Sequence, residues 1–466
     1  MYLSGDIKMN QFSSTYWANQ AFFYHIYPLG FCGTPSRNDF SSAPLNRLKK
    51  VSEWLPHLRS LGVNALYLGP LFESTAHGYD TADYYHVDRR LGSDPDLRAL
   101  SDEVHQKGMR LILDGVFNHV GRDFWAFRDV QQYQSASRYC DWFANLRFDG
   151  GRSPYGDPFT YEGWAGNYDL VKLNLRDAEV KQHLFGAVRA WVEQFDIDGL
   201  RLDAADLLDL DFLRELHDLV LSLKADFWLM GEIVVGQYRT WANPQMLHSV
   251  TNYECYKGLY SSLVDKNYFE IAWSLNRQFG PDGIYRGLPL YDFVDNHDVN
   301  RVASSLNDPA LLYPLYCQLF TMPGVPSIYY GSEWGIPGTR TPTSDSALRP
   351  CLDIAAMQRS APARDLEQAI TRLAALRSQS ETLKFGDYRQ VYVSQEQMAY
   401  LRESDHERVL VVLNAAPAPV SLELTLPISA SRAVDLLNLP DSFSVEGQRL
   451  KLNTIPSRWA RILKLE

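Results

Sequence analysis

The sequence predicts an α/β fold: a (β/α)8 barrel with a small lobe inserted after its third strand, then a C-terminal antiparallel β-sandwich. Three observations carry the prediction. Eight strand-like apolar runs, separated by helical stretches, spread over about 350 residues, the size of that barrel with an insertion. The rhythm pauses between residues 121 and 169, where Trp, Tyr, Phe and Gly crowd a stretch with little periodicity. From Phe385 onward the texture changes to short alternating runs, as in paired antiparallel strands. The barrel is accordingly assigned to residues 1–120 and 170–380, the lobe to 121–169 and the sandwich to 381–466.

The elements follow in order. Phe22–Pro28 reads as a first buried strand. A helix over Leu48–Leu61 places Val51, Trp54, Leu55, Leu58 and Leu61 at helical spacing. A second strand ends at Leu68, a second helix covers Asp96–Lys107, and Gly108 turns into the strand Arg110–Val116. After the pause, Asp177–Phe195 is a helix with Val180, Leu184, Val188, Trp191 and Phe195 on one face and Asp177 as its cap. Further strands read at Gly199–Ala204, Phe227–Ile233, Ser249–Cys255 (the weakest), Tyr291–Asp295 and Ser327–Gly331. A helix over Leu366–Ser378 closes the barrel. Sandwich strands read at Gln390–Val393, Met398–Arg402, Val409–Asn414, Val420–Leu426 and Trp459–Leu463. The structural rival is a doubly wound open sheet, but no GxGxxG or P-loop turn follows any strand.

Composition narrows the function. Of the 466 residues, 45% are hydrophobic and 22% charged, the balance of a soluble globular protein. A formal net charge of -11 argues against nucleic acid as the main partner and suits a neutral ligand. Aromatic residues, with 27 Tyr and 11 Trp, suit sugar recognition. Five scattered cysteines, an odd number with no CxxC pair, read as reduced thiols in the cytoplasm. Met1–Trp17 shows no basic segment followed by an apolar one, so no secretory signal is expected. No stretch approaches the roughly 20 apolar residues of a membrane span.

Active sites of such barrels lie at the C-terminal ends of the strands. Carboxylates sit there: Asp114 after strand three, Asp203 after four, Glu232 after five and Asp298 after seven. His119 and His297 accompany two of them. In Gly199-Leu200-Arg201-Leu202-Asp203-Ala204-Ala205, alternation sends Arg201 and Asp203 to the same face. That pair reads either as a structural ion pair or as part of a site. Carboxylates converging on one pocket push their pKa values apart, and a general acid beside an ionised nucleophile depends on that separation. Retaining glycosidases use such a pair about 5–5.5 Å apart.

These stretches resemble the conserved regions of the α-amylase superfamily, glycoside hydrolase family 13. Asp114–His119 is similar to its DxxxNH block, Gly199–Ala205 to GxRxDAA, Gly231-Glu232 to the acid/base block and Phe293–Asp298 to FVDNHD, in the family's order. The resemblance covers about residues 20–380. It implies Asp203 as the nucleophile, kept ionised by Arg201, and Glu232 as the acid/base. Asp298 would bind sugar hydroxyls and favour the distorted ring, while His119 and His297 would contact the sugar in the cleaved subsite. The histidines could instead be satisfied core residues, and Asp114 either touches substrate or serves only as the structural partner of Arg201.

Two further stretches refine the resemblance. His77–Tyr84 is similar to the segment whose Tyr stacks on the sugar at the cleavage point, here Tyr79. Asp80 matches an acidic residue that pairs with an Arg in members acting on short substrates. Arg349 is the partner expected, unless it is a solvated surface arginine. Leu170–Asn174 looks most like the MPKLN block of neopullulanases and cyclomaltodextrinases. Secreted α-amylases carry Asp where Lys172 stands, and Lys-His where this chain has Asp206-Leu207. These departures argue against the superfamily's usual calcium site, and no organic cofactor is implied. The extra N-terminal β-domain through which neopullulanase relatives dimerise is not seen before the barrel, so monomer and homodimer stay open. Aromatic residues of the lobe, among them Phe124, Trp125, Trp142, Phe143, Tyr161 and Trp164, read as a small core or as platforms for sugar rings.

The function expected is cleavage of α-1,4 bonds in malto-oligosaccharides, cyclodextrins or starch fragments through a covalent glycosyl-enzyme. The same intermediate allows transglycosylation as a side reaction, and the sequence does not separate the two outcomes. The alternatives are an α-glucosidase or 4-α-glucanotransferase on the same scaffold, and, from another class, a non-catalytic carbohydrate-binding or assembly protein.

Overall fold

Alternation along the eight apolar runs sorts their side chains into two layers, and the layers decide where the chemistry can sit. In the computed structural model, which describes residues 16–466, the runs form β1 (Phe23–Ile26), β2 (Ala65–Leu68), β3 (Arg110–Gly115), β4 (Gly199–Leu202), β5 (Trp228–Gly231), β6 (Ser249–Val250), β7 (Tyr291–Asp292) and β8 (Val325–Tyr329). The leader in which no secretory signal is read lies, except for its last two residues, outside the described part. The strands are parallel and follow the order β7-β8-β1-β2-β3-β4-β5-β6. A parallel bridge between Thr251 and Tyr291 closes the barrel.

Phe23, Ala65, Tyr67, Ile112, Trp228, Met230 and Val325 pack into one interior cluster that fills the barrel. Tyr24, Leu66, Leu111, Leu113, Leu200 and Leu229 face the other way, into the larger core beneath the helices. Trp17 caps the N-terminal mouth against Trp228, and its indole donates to the Asp226 carbonyl at 2.8 Å. Because inward positions recur every second residue, Arg201 follows Gly199, and Asp114 follows Ile112, toward the C-terminal mouth.

The outer helices are α1 (Lys49–Leu61), α2 (Asp94–Gln106), α3 (Ala178–Phe195), α4 (Leu210–Leu223), α5 (Tyr253–Val264), α6 (Tyr268–Phe279), α7 (Leu312–Thr321) and α8 (Leu366–Gln379). Asp177 caps α3, accepting from the amides of Glu179 and Val180. The run expected as a strand over Ser249–Cys255 is shorter: Asn252 accepts from the Cys255 amide and starts α5, which leaves a two-residue strand. The β5–β6 connection holds one short 3-10 turn, Tyr238–Thr240, where helical spacing was expected.

The lobe is a three-stranded antiparallel sheet of His119–Gly121, Asn167–Lys172 and Gly163–Trp164, with a helix at Trp125–Tyr133. The C-terminal strands are β9 (Asp387–Val393), β10 (Gln397–Glu403), β11 (Arg408–Asn414), β12 (Val420–Thr425), β13 (Arg432–Asp435), β14 (Ser442–Glu446), β15 (Arg449–Ile455) and β16 (Trp459–Leu465). They pair in the order β9-β10-β11-β16-β13-β14-β15-β12. Strands β13, β14 and β15 were not read from the sequence. Buried Arg402 on β10 ties this sandwich to the barrel, donating to the carbonyls of Thr321, Leu383 and Gly386. Among the described residues no helix is long and apolar enough to cross a membrane.

Candidate active site

A buried arginine needs counter-charge, and Arg201 has three carboxylates around it. Its Nη1 meets Asp114 and Asp203, each at 2.9 Å, and its Nη2 meets Glu232 at 2.8 Å. Strands β3, β4 and β5 are neighbours, so the ends of three adjacent strands supply the three acids. Sharing one planar guanidinium fixes Asp203 and Glu232 on neighbouring corners, open to solvent by 11% and 13% of their side chains.

Asp114 lies below them. Its oxygens accept from Arg201, from the Tyr67 hydroxyl at 2.8 Å and from the Tyr79 hydroxyl at 3.2 Å, and its side chain is sealed from solvent. With its lone pairs engaged by protein donors, it sits as the partner of Arg201.

Glu232 has a second set of partners. Tyr253 donates to its Oε1 at 3.2 Å, and the Ala204 amide approaches Oε2 at 3.4 Å. Ala204 sits in the left-handed region with φ 43°, a strained backbone between Asp203 and the helix turn. Asn296 holds Tyr253 in turn, donating to its hydroxyl at 3.0 Å. Tyr67, Tyr253 and Asn296 were not singled out from the sequence. Alternation on β2 would have found Tyr67, one inward position beyond Ala65, whereas Tyr253 reaches the site only because β6 ends early.

On the far side Asp298 meets His297 at 3.0 Å and Arg349 at 3.1 Å. The Tyr79 and His297 rings stack, with centroids 5.3 Å apart and 9° between planes, and the Tyr79 hydroxyl bonds to His297 Nε2. His119 Nε2, buried and without a hydrogen-bond partner, lies 3.9 Å from Asp203 Oδ2, and the lobe's Trp164 lies over His119 at 5.6 Å. All three candidate catalytic carboxylates therefore share one mouth with Tyr79, His119, His297 and Arg349.

The expected Asp80–Arg349 pair does not form. Asp80 is buried and accepts from the amides of His77 and Gly78, both at 3.1 Å, closing its own turn. Arg349 pairs instead with Asp345 at 2.8 Å and with Asp298, and lies over the Tyr27 ring at 4.4 Å. Its carbonyl packs so close to Gly30 that a Cβ there would meet it at 2.2 Å.

Electrostatics follow from this crowding. Burial pushes the Asp203 carboxyl well above its ordinary range; Arg201 opposes that, and Glu232, Asp114 and Asp298 reinforce it. Asp298 goes the other way: against the cost of burial, His297, Arg349 and Arg201 hold its carboxyl below the usual range. Burial, with His77 adding a little, drops His119 to about 3, so its ring is neutral near pH 7.

At the root of the lobe, where a calcium ion would need six to eight oxygen donors, Lys172 places an ammonium group. It pairs with Glu162 at 2.6 Å, directly across the short sheet from His119. Asn118 spends its amide on His119. A lysine already supplies the positive charge at this position, so the donor set does not fit calcium. Among the described residues no group of three or more His, Cys, Asp or Glu is placed to hold a metal.

The chain matches the α-amylase catalytic domain over residues 25–382 and the maltogenic amylase C-terminal domain over residues 388–459. It is 33% identical over 470 residues to neopullulanase 2 of Thermoactinomyces vulgaris, covering 96% of this chain and 78% of that one. It is 31% identical over 417 residues to a cyclomaltodextrinase of a Bacillus species, covering 85% and 73%. Among solved structures, Ttha1563 from Thermus thermophilus superposes with a TM-score of 0.82 at 28% identity, covering 97% of this chain and all of that one. The chain belongs to the α-amylase family and is a glycoside hydrolase.

Proposed function

We propose that this protein hydrolyses α-1,4 bonds in short or cyclic malto-oligosaccharides with retention of configuration. The observation that carries the proposal is the single guanidinium shared by Asp203 and Glu232. Burial and the neighbouring acids push the Asp203 carboxyl up, and the shared guanidinium opposes them, so Arg201 is what favours the ionised form of Asp203. One proton between two acids is what the reaction needs. With the proton on Glu232, ionised Asp203 attacks C1 of the sugar while Glu232 protonates the glycosidic oxygen as the C1–O bond breaks. Water then attacks C1, Glu232 takes its proton, and the Asp203 ester bond breaks.

In this reading Arg201 and Asp114 position the nucleophile without touching substrate. Asp298 contacts the sugar hydroxyls beside His297, Tyr79 offers its ring to the sugar, and neutral His119 donates its unpartnered N–H. No resident metal takes part, since Lys172 supplies the charge at the lobe's root. Five free cysteines support a reducing, cytoplasmic setting.

The test is a product time course on maltoheptaose and β-cyclodextrin for the wild type and Glu232→Gln. The wild type is expected to open the ring and accumulate short maltosaccharides. Glu232→Gln should fold normally and lose at least about 100-fold in rate. Equal behaviour of the two proteins would remove Glu232 from the chemistry. Glucose released singly from the linear chain alone would point to an α-glucosidase.

A further inference from the structure

The lobe and the barrel meet a second time, away from the catalytic mouth. There they form an open groove of about 790 Å³, within the ~300–1,000 Å³ of small-molecule sites. One wall comes from the lobe: Trp125, Tyr139 and Trp142. The other comes from α3, through Glu179, Gln182, His183 and Arg189. None of the lining residues belongs to the Arg201 cluster.

The rings are arranged edge to face. Trp125 and Tyr139 lie 4.9 Å apart at 89°, Trp125 and Trp142 5.4 Å apart at 75°, and Tyr139 and Trp142 5.1 Å apart at 76°. Trp142 is buried and the Arg138 guanidinium lies over the Tyr139 ring at 5.3 Å, which leaves Trp125, 39% exposed, as the ring that faces the groove. With centroids this close, the rings leave no space between them for a cation to be caged. Polar groups stand beside them: Gln182 and Arg189 are exposed, and His183 Nε2 is buried without a hydrogen-bond partner. Mid-helix Gly186 costs helix stability but lets the Tyr85 hydroxyl come close, 2.6 Å from where a Cβ would be, to bond to the His183 carbonyl at 2.9 Å. The wall is thereby fixed.

An exposed indole with flexible donors beside it suits a ligand that has both apolar faces and many hydroxyls. A peptide or a polyanion fits less well: the nearby charges are mixed, with Arg138 and Glu179 already paired at 3.2 Å. We propose that this groove is a second binding site for an α-glucan chain, with a sugar face on Trp125 and hydroxyls toward Gln182 and Arg189. It would hold a long substrate on the lobe while another part enters the mouth. The proposal rests on the α-glucan reading of the catalytic site, and the test separates the two.

The experiment is native electrophoresis in gels with and without amylopectin, for the wild type, Trp125→Ala and the surface double variant Gln182→Ala/Arg189→Ala. Maltotriose cleavage is followed in parallel to report the catalytic mouth. Retardation by amylopectin is expected to weaken at least about fivefold in Trp125→Ala and about twofold in the double variant, with cleavage of maltotriose retained. If both variants are retarded like the wild type while all three cleave maltotriose, the groove is not a glucan site and the catalytic reading stands. If the wild type neither cleaves maltotriose nor is retarded, the catalytic reading fails and this one fails with it. Should Trp125→Ala misfold, the double variant, altered only at exposed side chains, decides on its own.

Discussion

Arg201 is the residue on which the chemistry balances, because removing any of its three carboxylates changes the charge felt by the other two. The pH profile follows with a definite sign. As pH falls, the Asp203 carboxyl takes up a proton and the nucleophile of the proposed mechanism is lost. Since that carboxyl is pushed up, the acid limb of kcat/KM should lie clearly above the ~3.9 of an ordinary aspartic acid. A limb at or below that value would contradict the upward push. Gly30 offers a second test at this scale. A methyl group there meets the Arg349 carbonyl, so Gly30→Ala must push aside the loop that brings Arg349 to Asp298. Its kcat/KM on maltotriose should fall by about tenfold or more, a larger effect than the loss of thermal stability measured alongside.

Among the elements, the lobe's short sheet makes the clearest prediction. Lys172 and Glu162 join two of its strands by an ion pair, and the lysine keeps the Glu162 carboxyl below its usual range. Prolonged dialysis against a chelator should therefore leave both the unfolding temperature and the rate on maltoheptaose unchanged. A drop in either that calcium restores would put a metal back at the root of the lobe.

Legibility in the sequence varied with how much of an element's signal is local. Strand β4 was plain, because an Arg and an Asp two residues apart interrupt an otherwise apolar run. Strand β6 was weak because only two residues pair, and Asn252 at once caps the next helix. Strands β13 and β14 span only four and five residues, too short to stand out, whereas β15 alternates Leu450 and Leu452 with charged neighbours and Gly447 at φ 68° marks the β14–β15 hairpin, a pattern that went unread. Strand ends pointed to Asp114, Asp203, Glu232 and Asp298 together, and the resemblance to glycoside hydrolase family 13 singled out Asp203, Glu232 and Asp298. The partner of Arg349 was not found, because Asp345 reaches it through a loop whose path no local pattern fixes.

At the scale of the whole molecule, barrel and sandwich share buried contacts, with Arg402 bridging α7, the segment before β9 and the sheet. The barrel itself is not equally strong all round. From β1 to β5, neighbouring strands pair over four residues each, whereas β6 and β7 meet through the Thr251–Tyr291 bridge and an Asn252 amide held by the Tyr291 carbonyl at 2.9 Å. This is the fault line of the ring. Its breathing would carry Tyr253, the next residue along, away from Glu232 and let water reach the acid from below. Native-state hydrogen exchange should show the Asn252 amide opening at least about tenfold more often than the amides of Leu66 or Leu200. The seam with the fewest strand-to-strand pairs thus also carries the mounting of Glu232's tyrosine partner.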